Sequence, residues 1–128
     1  MKTGVVLFAH GSRDAQWARP FRAIESKVAH ANPDKTVTLA FLELMQPALP
    51  EAIDRLVAQG CGRITVAPLF MAQGAHLTRD LTNIVAEARA RHAAVEIATL
   101  PAAGEADTVV DAIADWIGAR VESNEGKD

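Results

Sequence analysis

Residues 5–14 read VVLFAHGSRD, in which the apolar residues from Val5 to Ala9 run directly into His10 and Gly11. A short, continuous apolar run that ends at a turn signal is typical of a buried β-strand. His10 would then lie just beyond the carboxyl end of that strand, which is where open parallel α/β sheets bind their ligands. The sequence therefore indicates His10 as a candidate functional residue. The alternative is a histidine that only caps the strand and bonds to backbone.

The rest of the chain repeats the same pattern of a strand followed by a helix. Apolar and β-branched runs predict further strands over 36–42, 63–70 and 95–100. After each strand, apolar residues recur at spacings of three and four, as on the buried face of a helix. This order predicts an α/β fold with one four-stranded parallel sheet and helices on both faces. The apolar helical positions are Trp17, Phe21, Ile24 and Val28; Leu49, Ile53, Leu56 and Val57; Leu77, Leu81, Ile84, Val85 and Ala88; and Val109, Val110, Ile113, Trp116 and Ile117.

Length and composition bound the class of protein. The 128 residues fall within the usual range for one domain, which we expect over 1–121, followed by a polar, frayed tail over 122–128. The net charge of -3 gives no indication of a nucleic-acid partner. The single cysteine, Cys61, excludes an internal disulfide framework and favours a reducing compartment. The first apolar run is too short to span a membrane and lacks a signal-peptide layout, so we expect a cytoplasmic protein with no membrane partner.

Three side chains that can bind a metal ion follow three successive predicted strands. They are His10, Glu43 and His76, and all three would lie at the carboxyl edge of the sheet. Two imidazoles and one carboxylate suit a divalent ion such as Co²⁺, Fe²⁺, Ni²⁺ or Zn²⁺, and three protein ligands leave coordination positions open. The alternatives are a solvated Glu43 and a His76 that caps a helix. We interpret His30 and His92, near predicted helix ends, as surface residues.

Three segments together resemble one known family. They are HGSRD at 10–14, AFLE at 40–43 followed by Pro47, and PLFMAQGAHLTRDL at 68–81. In order and position they resemble the motifs of the small class II tetrapyrrole chelatases, the CbiX family of sirohydrochlorin cobaltochelatases and ferrochelatases. The resemblance covers nearly the whole chain. The chain departs from it in lacking a histidine-rich stretch and in carrying Thr82 where a proline is frequent.

The resemblance implies an enzyme that inserts a divalent metal ion into sirohydrochlorin, in cobalamin or sirohaem biosynthesis. The metal, Co²⁺, Fe²⁺ or Ni²⁺, would be a substrate, and no organic cofactor is implied. His10 and His76 would hold the ion while its ring-facing side stays open. Glu43 would either ligate the ion or accept a proton from the ring, so that all three are candidate catalytic residues.

The resemblance also implies residues that bind the tetrapyrrole. The guanidinium groups of Arg13 and Arg79 match carboxylate geometry, and the carboxylates of the ring are numerous. Apolar side chains at the mouth of the site would pack on the flat macrocycle, although each is also compatible with an ordinary core position. The predicted substrate-binding residues are Ser12, Arg13, Met45, Phe70 and Arg79, with Leu44, Leu69 and Met71 as further apolar candidates.

Two other functions compete with the chelatase interpretation. A metal carrier would bind cobalt, nickel or iron through the same two histidines without catalysis. A phosphoryl-transfer enzyme with His10 as nucleophile is disfavoured, because no glycine-rich phosphate loop follows the first strand. The width of the macrocycle relative to one sheet edge further predicts a homodimer, with Trp17, Phe70 and Met71 as candidate contacts.

Overall fold

The computed structural model describes residues 1–125 and forms one parallel α/β sheet with four helices. The fold class predicted from the sequence is thereby confirmed. Two short 3₁₀ helices, Ala15–Ala18 and Ala103–Glu105, precede the first and last α-helices. The regular elements are β1 (Lys2–Ala9), α1 (Arg19–Ala31), β2 (Thr36–Phe41), α2 (Leu49–Ala58), β3 (Cys61–Pro68), α3 (Ala75–Arg91), β4 (Glu96–Thr99) and α4 (Asp107–Glu125).

The strands lie in the order β2-β1-β3-β4, and every neighbouring pair is parallel. The strand β1 is therefore central between β2 and β3. Ala9 lies opposite Phe41 on β2, and Phe8 lies opposite Pro68 on β3. Because the three strands end at nearly the same level, the loops that follow them leave the sheet side by side.

Side chains alternate between the two faces of the sheet, and each face has its own core. Val6 and Phe8 belong to the larger cluster, in which α2 and α3 pack against the sheet. Leu7 and Leu39 belong to the smaller cluster, which packs against Trp17 in the first 3₁₀ helix and Phe21 in the first turn of α1. Helices therefore lie on both faces of the sheet, and the central strand is buried from Val6 to Ala9.

The observed elements differ from the predicted ones mainly at their ends. The helix α1 begins at Arg19 because a 3₁₀ helix comes first, with the Asp14 carboxylate accepting a hydrogen bond from the Gln16 N–H at 2.9 Å. Pro20 lies in the first turn of α1, where its missing N–H costs nothing. The strand β3 ends at Pro68, since the loop from Leu69 onward leaves the sheet.

The C-terminal helix extends beyond the predicted end of the domain. It continues to Glu125, so the tail predicted over 122–128 overlaps it, and 126–128 lie outside the described residues. From Asp107 to Asn124 no residue of α4 is buried. Within residues 1–125, no helix combines the length and apolar character needed to cross a membrane.

Candidate functional site

His10 and Glu43 form a direct side-chain pair at the carboxyl edge of the sheet. Nε2 of His10 lies 2.9 Å from Oε1 of Glu43, and each side chain is about half exposed. The backbones of the two loops are also paired, since the Leu42 N–H donates to the Ala9 carbonyl at 2.9 Å and the Glu43 N–H donates to the His10 carbonyl at 3.0 Å. These bonds continue the parallel ladder beyond the strands and hold the imidazole beside the carboxylate.

A glycine makes this close approach of the two loops possible. Gly11 has φ 100°, a conformation that residues with a Cβ rarely adopt. A Cβ at this position would overlap the carbonyl oxygen of Glu43. Glycine is therefore needed at position 11 for two reasons, namely its positive φ and the closeness of the loop that contains Glu43.

The loop after Glu43 contains a tight and unusual turn. The Met45 N–H donates to the Glu43 carbonyl at 2.8 Å, and Leu44 between them has φ 66°. A non-glycine residue in this region is uncommon, and such strain tends to collect at functional sites. The turn exposes 56% of Leu44, whereas Met45 is half-buried and packs on the α1 side of the sheet. Of these two candidates, the structure thus places Leu44 at the mouth and Met45 partly in the core.

The loop after β3 is anchored on both sides. The Leu69 N–H donates to the Phe8 carbonyl at 2.8 Å, and the Gly104 N–H donates to the Phe70 carbonyl at 2.9 Å. The ring of Phe70 packs edge-to-face on that of Phe8, with centroids 5.6 Å apart, so Phe70 is half-buried. Met71, the next residue of this loop, is 64% exposed.

His76 lies apart from the His10–Glu43 pair in this structure. It is an exposed residue in the first turn of α3. Across residues 1–125, no group of three histidine, cysteine, aspartate or glutamate side chains is close enough to hold one metal ion. The helix N-cap is Gly74, without a side-chain cap, so the alternative that His76 caps the helix is wrong.

The two arginines and the serine predicted to bind the tetrapyrrole differ in their surroundings. Arg13 and Arg79 are both exposed, and the side-chain hydrogen bonds of residues 1–125 involve neither guanidinium group. The Ser12 hydroxyl instead accepts a hydrogen bond from the Asp14 N–H at 3.1 Å. Ser12 therefore helps to shape the loop that starts the 3₁₀ helix.

A groove beside α3 was not predicted from the sequence. It measures about 330 Å³ and runs between α3 and the end of β4. Gln73 donates to the Thr78 hydroxyl at 3.2 Å, while its Oε1 is buried and finds no hydrogen-bond partner in the described part of the chain, residues 1–125. No motif marks this groove, because its lining is a mixture of common polar and apolar residue types, most of them on α3. It is lined by Gln73, Thr78, Leu81, Thr82, Val85, Arg89 and Thr99.

The parallel sheet with helices on both faces defines an α/β protein of the class that binds ligands beyond the carboxyl ends of its strands, and the His10–Glu43 pair lies at that edge. The CbiX family profile matches residues 4–119, and the chain belongs to this family. The resemblance seen in the sequence motifs is thereby confirmed.

Sirohydrochlorin cobaltochelatases from several organisms are similar in sequence to this chain. A sirohydrochlorin cobaltochelatase of Methanothermobacter thermautotrophicus is 34% identical over 84 residues, which cover 66% of this chain and 58% of that protein. One from Methanosarcina barkeri is 31% identical over 84 residues, covering 66% of this chain and 65% of that protein. The aligned segment thus spans less than two thirds of either relative.

Solved structures show the same fold. A cobalamin (vitamin B12) biosynthesis CbiX protein from Marinobacter aquaeolei VT8 superposes with a TM-score of 0.82 at 30% identity, covering 94% of this chain and 98% of that one. The sirohydrochlorin chelatase SirB from Bacillus subtilis subspecies spizizenii, in complex with cobalt, superposes with a TM-score of 0.74 at 28% identity. The match covers 93% of this chain and 51% of SirB, so this chain spans about half of the SirB chain.

Proposed function

We propose that this protein inserts a divalent metal ion, with Co²⁺ as the favoured metal, into sirohydrochlorin. The observation that carries the proposal is the 2.9 Å contact between His10 and Glu43 at the carboxyl edge of the sheet. Family membership supports the same activity, because the relatives described above are named sirohydrochlorin cobaltochelatases. The structure of SirB with cobalt supports the choice of metal.

The pair supplies the two chemical functions that metal insertion needs. When Glu43 is ionised it accepts the Nε2–H of His10, which leaves Nδ1 as the imidazole nitrogen with a lone pair for the metal. The macrocycle must lose two N–H protons as the metal enters, and a carboxylate at this position can accept one of them. Positioned general bases of this kind contribute about 10²–10⁴-fold to a rate.

The surroundings of the pair suit a flat ring that carries carboxylates. Leu44 and Met71 expose apolar side chains on the loops after β2 and β3, which lie on opposite sides of β1. Arg13 follows His10 on the central loop, and its guanidinium group, which is unpaired among residues 1–125, suits a carboxylate arm. Arg79, in the second turn of α3, is the corresponding candidate on the far side.

His76 is proposed as a third ligand from the first turn of α3. Its side chain is exposed and unpaired within residues 1–125, so no internal interaction must be broken for it to bind a metal. The loop that precedes it connects directly to β3, whose end adjoins that of β1. In this proposal His76 joins the pair when metal and tetrapyrrole are both bound.

The proposal extends to a second metal, to the cellular compartment and to the oligomeric state. Iron is a second candidate metal, since a structure of SirB from Bacillus subtilis with Fe³⁺, at 25% identity, shares the fold with a TM-score of 0.76. The protein acts in the cytoplasm, in keeping with its single, buried cysteine. It works as a homodimer, because one four-stranded sheet edge is narrow relative to the macrocycle.

Comparison of metal binding with metal insertion tests the proposal against the carrier alternative, which the names of the relatives do not favour. Calorimetry measures Co²⁺ binding by the protein alone, and absorbance follows metallation of sirohydrochlorin with Co²⁺ or Fe²⁺ under anaerobic conditions. A chelatase accelerates metallation at substoichiometric concentration. A protein that binds Co²⁺ but leaves the rate unchanged is a carrier and contradicts the proposal.

A further inference from the structure

The loop after β4 reaches the carboxyl edge of the sheet with small side chains. It reads LPAAGEA over 100–106, in which the only polar side chain is that of Glu105. The loop begins by continuing the parallel ladder, since the Leu100 N–H donates to the Val66 carbonyl at 2.9 Å. The 3₁₀ helix Ala103–Glu105 then turns the chain towards α4. Small residues of this kind let one backbone approach another closely, which indicates a role for the backbone of this loop.

Gly104 lies directly against the backbone of Met71 in the neighbouring loop. The Gly104 N–H donates to the Phe70 carbonyl at 2.9 Å. A Cβ at position 104 would overlap the carbonyl oxygen and the Cα of Met71. Protein interiors are close-packed, so such an overlap has to be relieved by moving one of the two loops. Glycine at position 104 therefore allows the loop after β3 to lie where it does.

The position of the Met71 side chain depends on the backbone that carries it. Met71 is 64% exposed, whereas the ring of Phe70 packs edge-to-face on that of Phe8. The backbone of this loop is held on two sides, because the Leu69 N–H donates to the Phe8 carbonyl at 2.8 Å and Gly104 contacts Met71. The contact at Gly104 is the nearer of the two to Met71 along the loop. It therefore helps to set where the Met71 side chain lies at the edge of the sheet.

We propose that Gly104 is a positioning residue, which places Met71 against the flat face of the tetrapyrrole. This inference rests on the proposed function, in which Met71 offers apolar surface to the ring. A loop that is already in place need not be ordered when the ring binds, and such preorganisation raises affinity. The His10–Glu43 pair lies on the loops after β1 and β2, which their own backbone hydrogen bonds connect. Displacement of Met71 is therefore expected to weaken ring binding and to leave the chemical step intact.

Gly11 and Gly104 make the same kind of contact at two places along this edge. The carbonyl oxygen of Glu43 fills the Cβ position of Gly11, and that of Met71 fills the Cβ position of Gly104. The first contact supports a residue of the candidate metal site, and the second supports an exposed apolar residue. Alanine at position 11 is therefore expected to slow metal insertion, whereas alanine at position 104 raises the tetrapyrrole concentration that the enzyme needs.

A double-mutant cycle between Gly104 and Met71 tests this inference. Fluorescence titration gives the dissociation constant for sirohydrochlorin, and initial rates with Co²⁺ give KM and kcat. Gly104→Ala and Met71→Ala should each raise the dissociation constant and KM by about fivefold or more, with kcat changed by less than about twofold. The two effects should not add in the double variant, because Gly104 acts through Met71. Gly118→Ala, where an added Cβ has open space among residues 1–125, is the matched control.

Thermal melts verify that each variant folds. If Gly104→Ala does not fold, Ala103→Gly takes its place in the cycle, because it loosens the same turn without adding an atom. Wild-type affinity in either single variant, additive losses in the double variant, or a lowered kcat at unchanged KM overturns the inference and leaves the proposed function standing. A wild-type protein that neither binds nor metallates sirohydrochlorin overturns the proposed function itself.

Discussion

The carbonyl oxygen of Glu43 occupies the space into which a side chain at Gly11 would project. The two residues lie 32 positions apart in the chain, yet their backbones are in direct contact at the edge of the sheet. His10 directly precedes Gly11, and its imidazole is hydrogen-bonded to the Glu43 carboxylate. The backbone contact between Gly11 and Glu43 therefore helps to set the distance between imidazole and carboxylate. The site is therefore built by backbone as much as by side chains.

Replacement of Gly11 by alanine is expected to lower both the free energy of unfolding and the metallation rate. The added Cβ is strained at φ 100° and also pushes the Glu43 carbonyl away. Gly60→Ala is the matched control, because Gly60 has φ 92° but open space around it. That control should cost about 1–2 kcal/mol of stability from backbone strain alone.

Thermal melts and initial rates measured on both variants separate strain from displacement of the loop. The Gly11 variant should lose more stability than the Gly60 variant and should alone lose activity. Equal losses of stability with full activity in both would show that the close approach at Glu43 has no role in the site.

Glu43→Gln is expected to slow metal insertion by about 10²–10⁴-fold while leaving tetrapyrrole binding within a few fold. The amide keeps the shape of the carboxylate. Because it carries no negative charge, it cannot accept a ring proton and cannot bind the His10 imidazole as a carboxylate does. Stopped-flow rates and fluorescence titration of the tetrapyrrole provide the two readouts. Glu87→Gln, an exposed glutamate on α3, controls for the loss of one charge. Unchanged turnover would mean that Glu43 is an ordinary solvated carboxylate.

His76→Ala is expected to reduce the metallation rate at least tenfold without changing the melting temperature, since the His76 side chain is exposed and makes no hydrogen bond or ion pair within residues 1–125. The control is His30→Ala, another exposed histidine, in the last turn of α1. Co²⁺ affinity of the protein alone, measured by calorimetry, should stay unchanged in both variants, because His76 joins the pair only when the tetrapyrrole is also bound. A wild-type metallation rate in His76→Ala would remove His76 from the site.

Asp54 is expected to make stability depend on acid pH. Hydrogen bonds from His92, at 2.7 Å, and from Arg91, at 3.0 Å, lower the pKa of Asp54 below its usual value, although partial burial acts in the opposite direction. Because the folded pKa lies below the unfolded one, the stabilisation is full above the unfolded pKa and is lost as pH falls through the folded pKa. The side chain is about half exposed, so solvent screening limits the effect to about 0.2–1 kcal/mol.

Chemical denaturation of the wild type and Asp54→Asn between pH 7 and pH 2.5 measures this contribution. The stability difference should be constant at neutral pH and should shrink below about pH 4. Asp115→Asn, on the exposed side of α4, should show no such trend. A difference for Asp54→Asn that persists unchanged at pH 2.5 would contradict the assignment.

The order of elements and the meeting of His10 with Glu43 could be predicted from the sequence. Both depend on local patterns, namely apolar runs that end at a charged residue and the rule that parallel strands end at one edge. The position of His76 could not be predicted, because the loop over 69–74 has no regular geometry. His92 was interpreted as a surface residue, but it pairs with Asp54, which is 38 positions away.

The exposure of α4 also could not be predicted from the sequence. Its apolar spacing is the same whether a helix packs on its own sheet or on another molecule. The predicted dimer contacts illustrate the point, since Trp17 stacks on Phe21 at 4.6 Å and Phe70 packs on Phe8, so both rings are partly satisfied within one chain. The surfaces that one chain leaves unpaired became visible only when the fold was known.

The rate of cobalt insertion into sirohydrochlorin, with and without the His10 imidazole, decides whether this protein is a chelatase that works through the His10–Glu43 pair. The measurement is the initial absorbance change after Co²⁺ is added to the tetrapyrrole alone, with wild-type protein, with His10→Ala, and with His30→Ala as the control. We expect acceleration by the wild type and by His30→Ala, and a rate close to the uncatalysed one with a folded His10→Ala variant. Equal acceleration by His10→Ala, or none by the wild type, would contradict it.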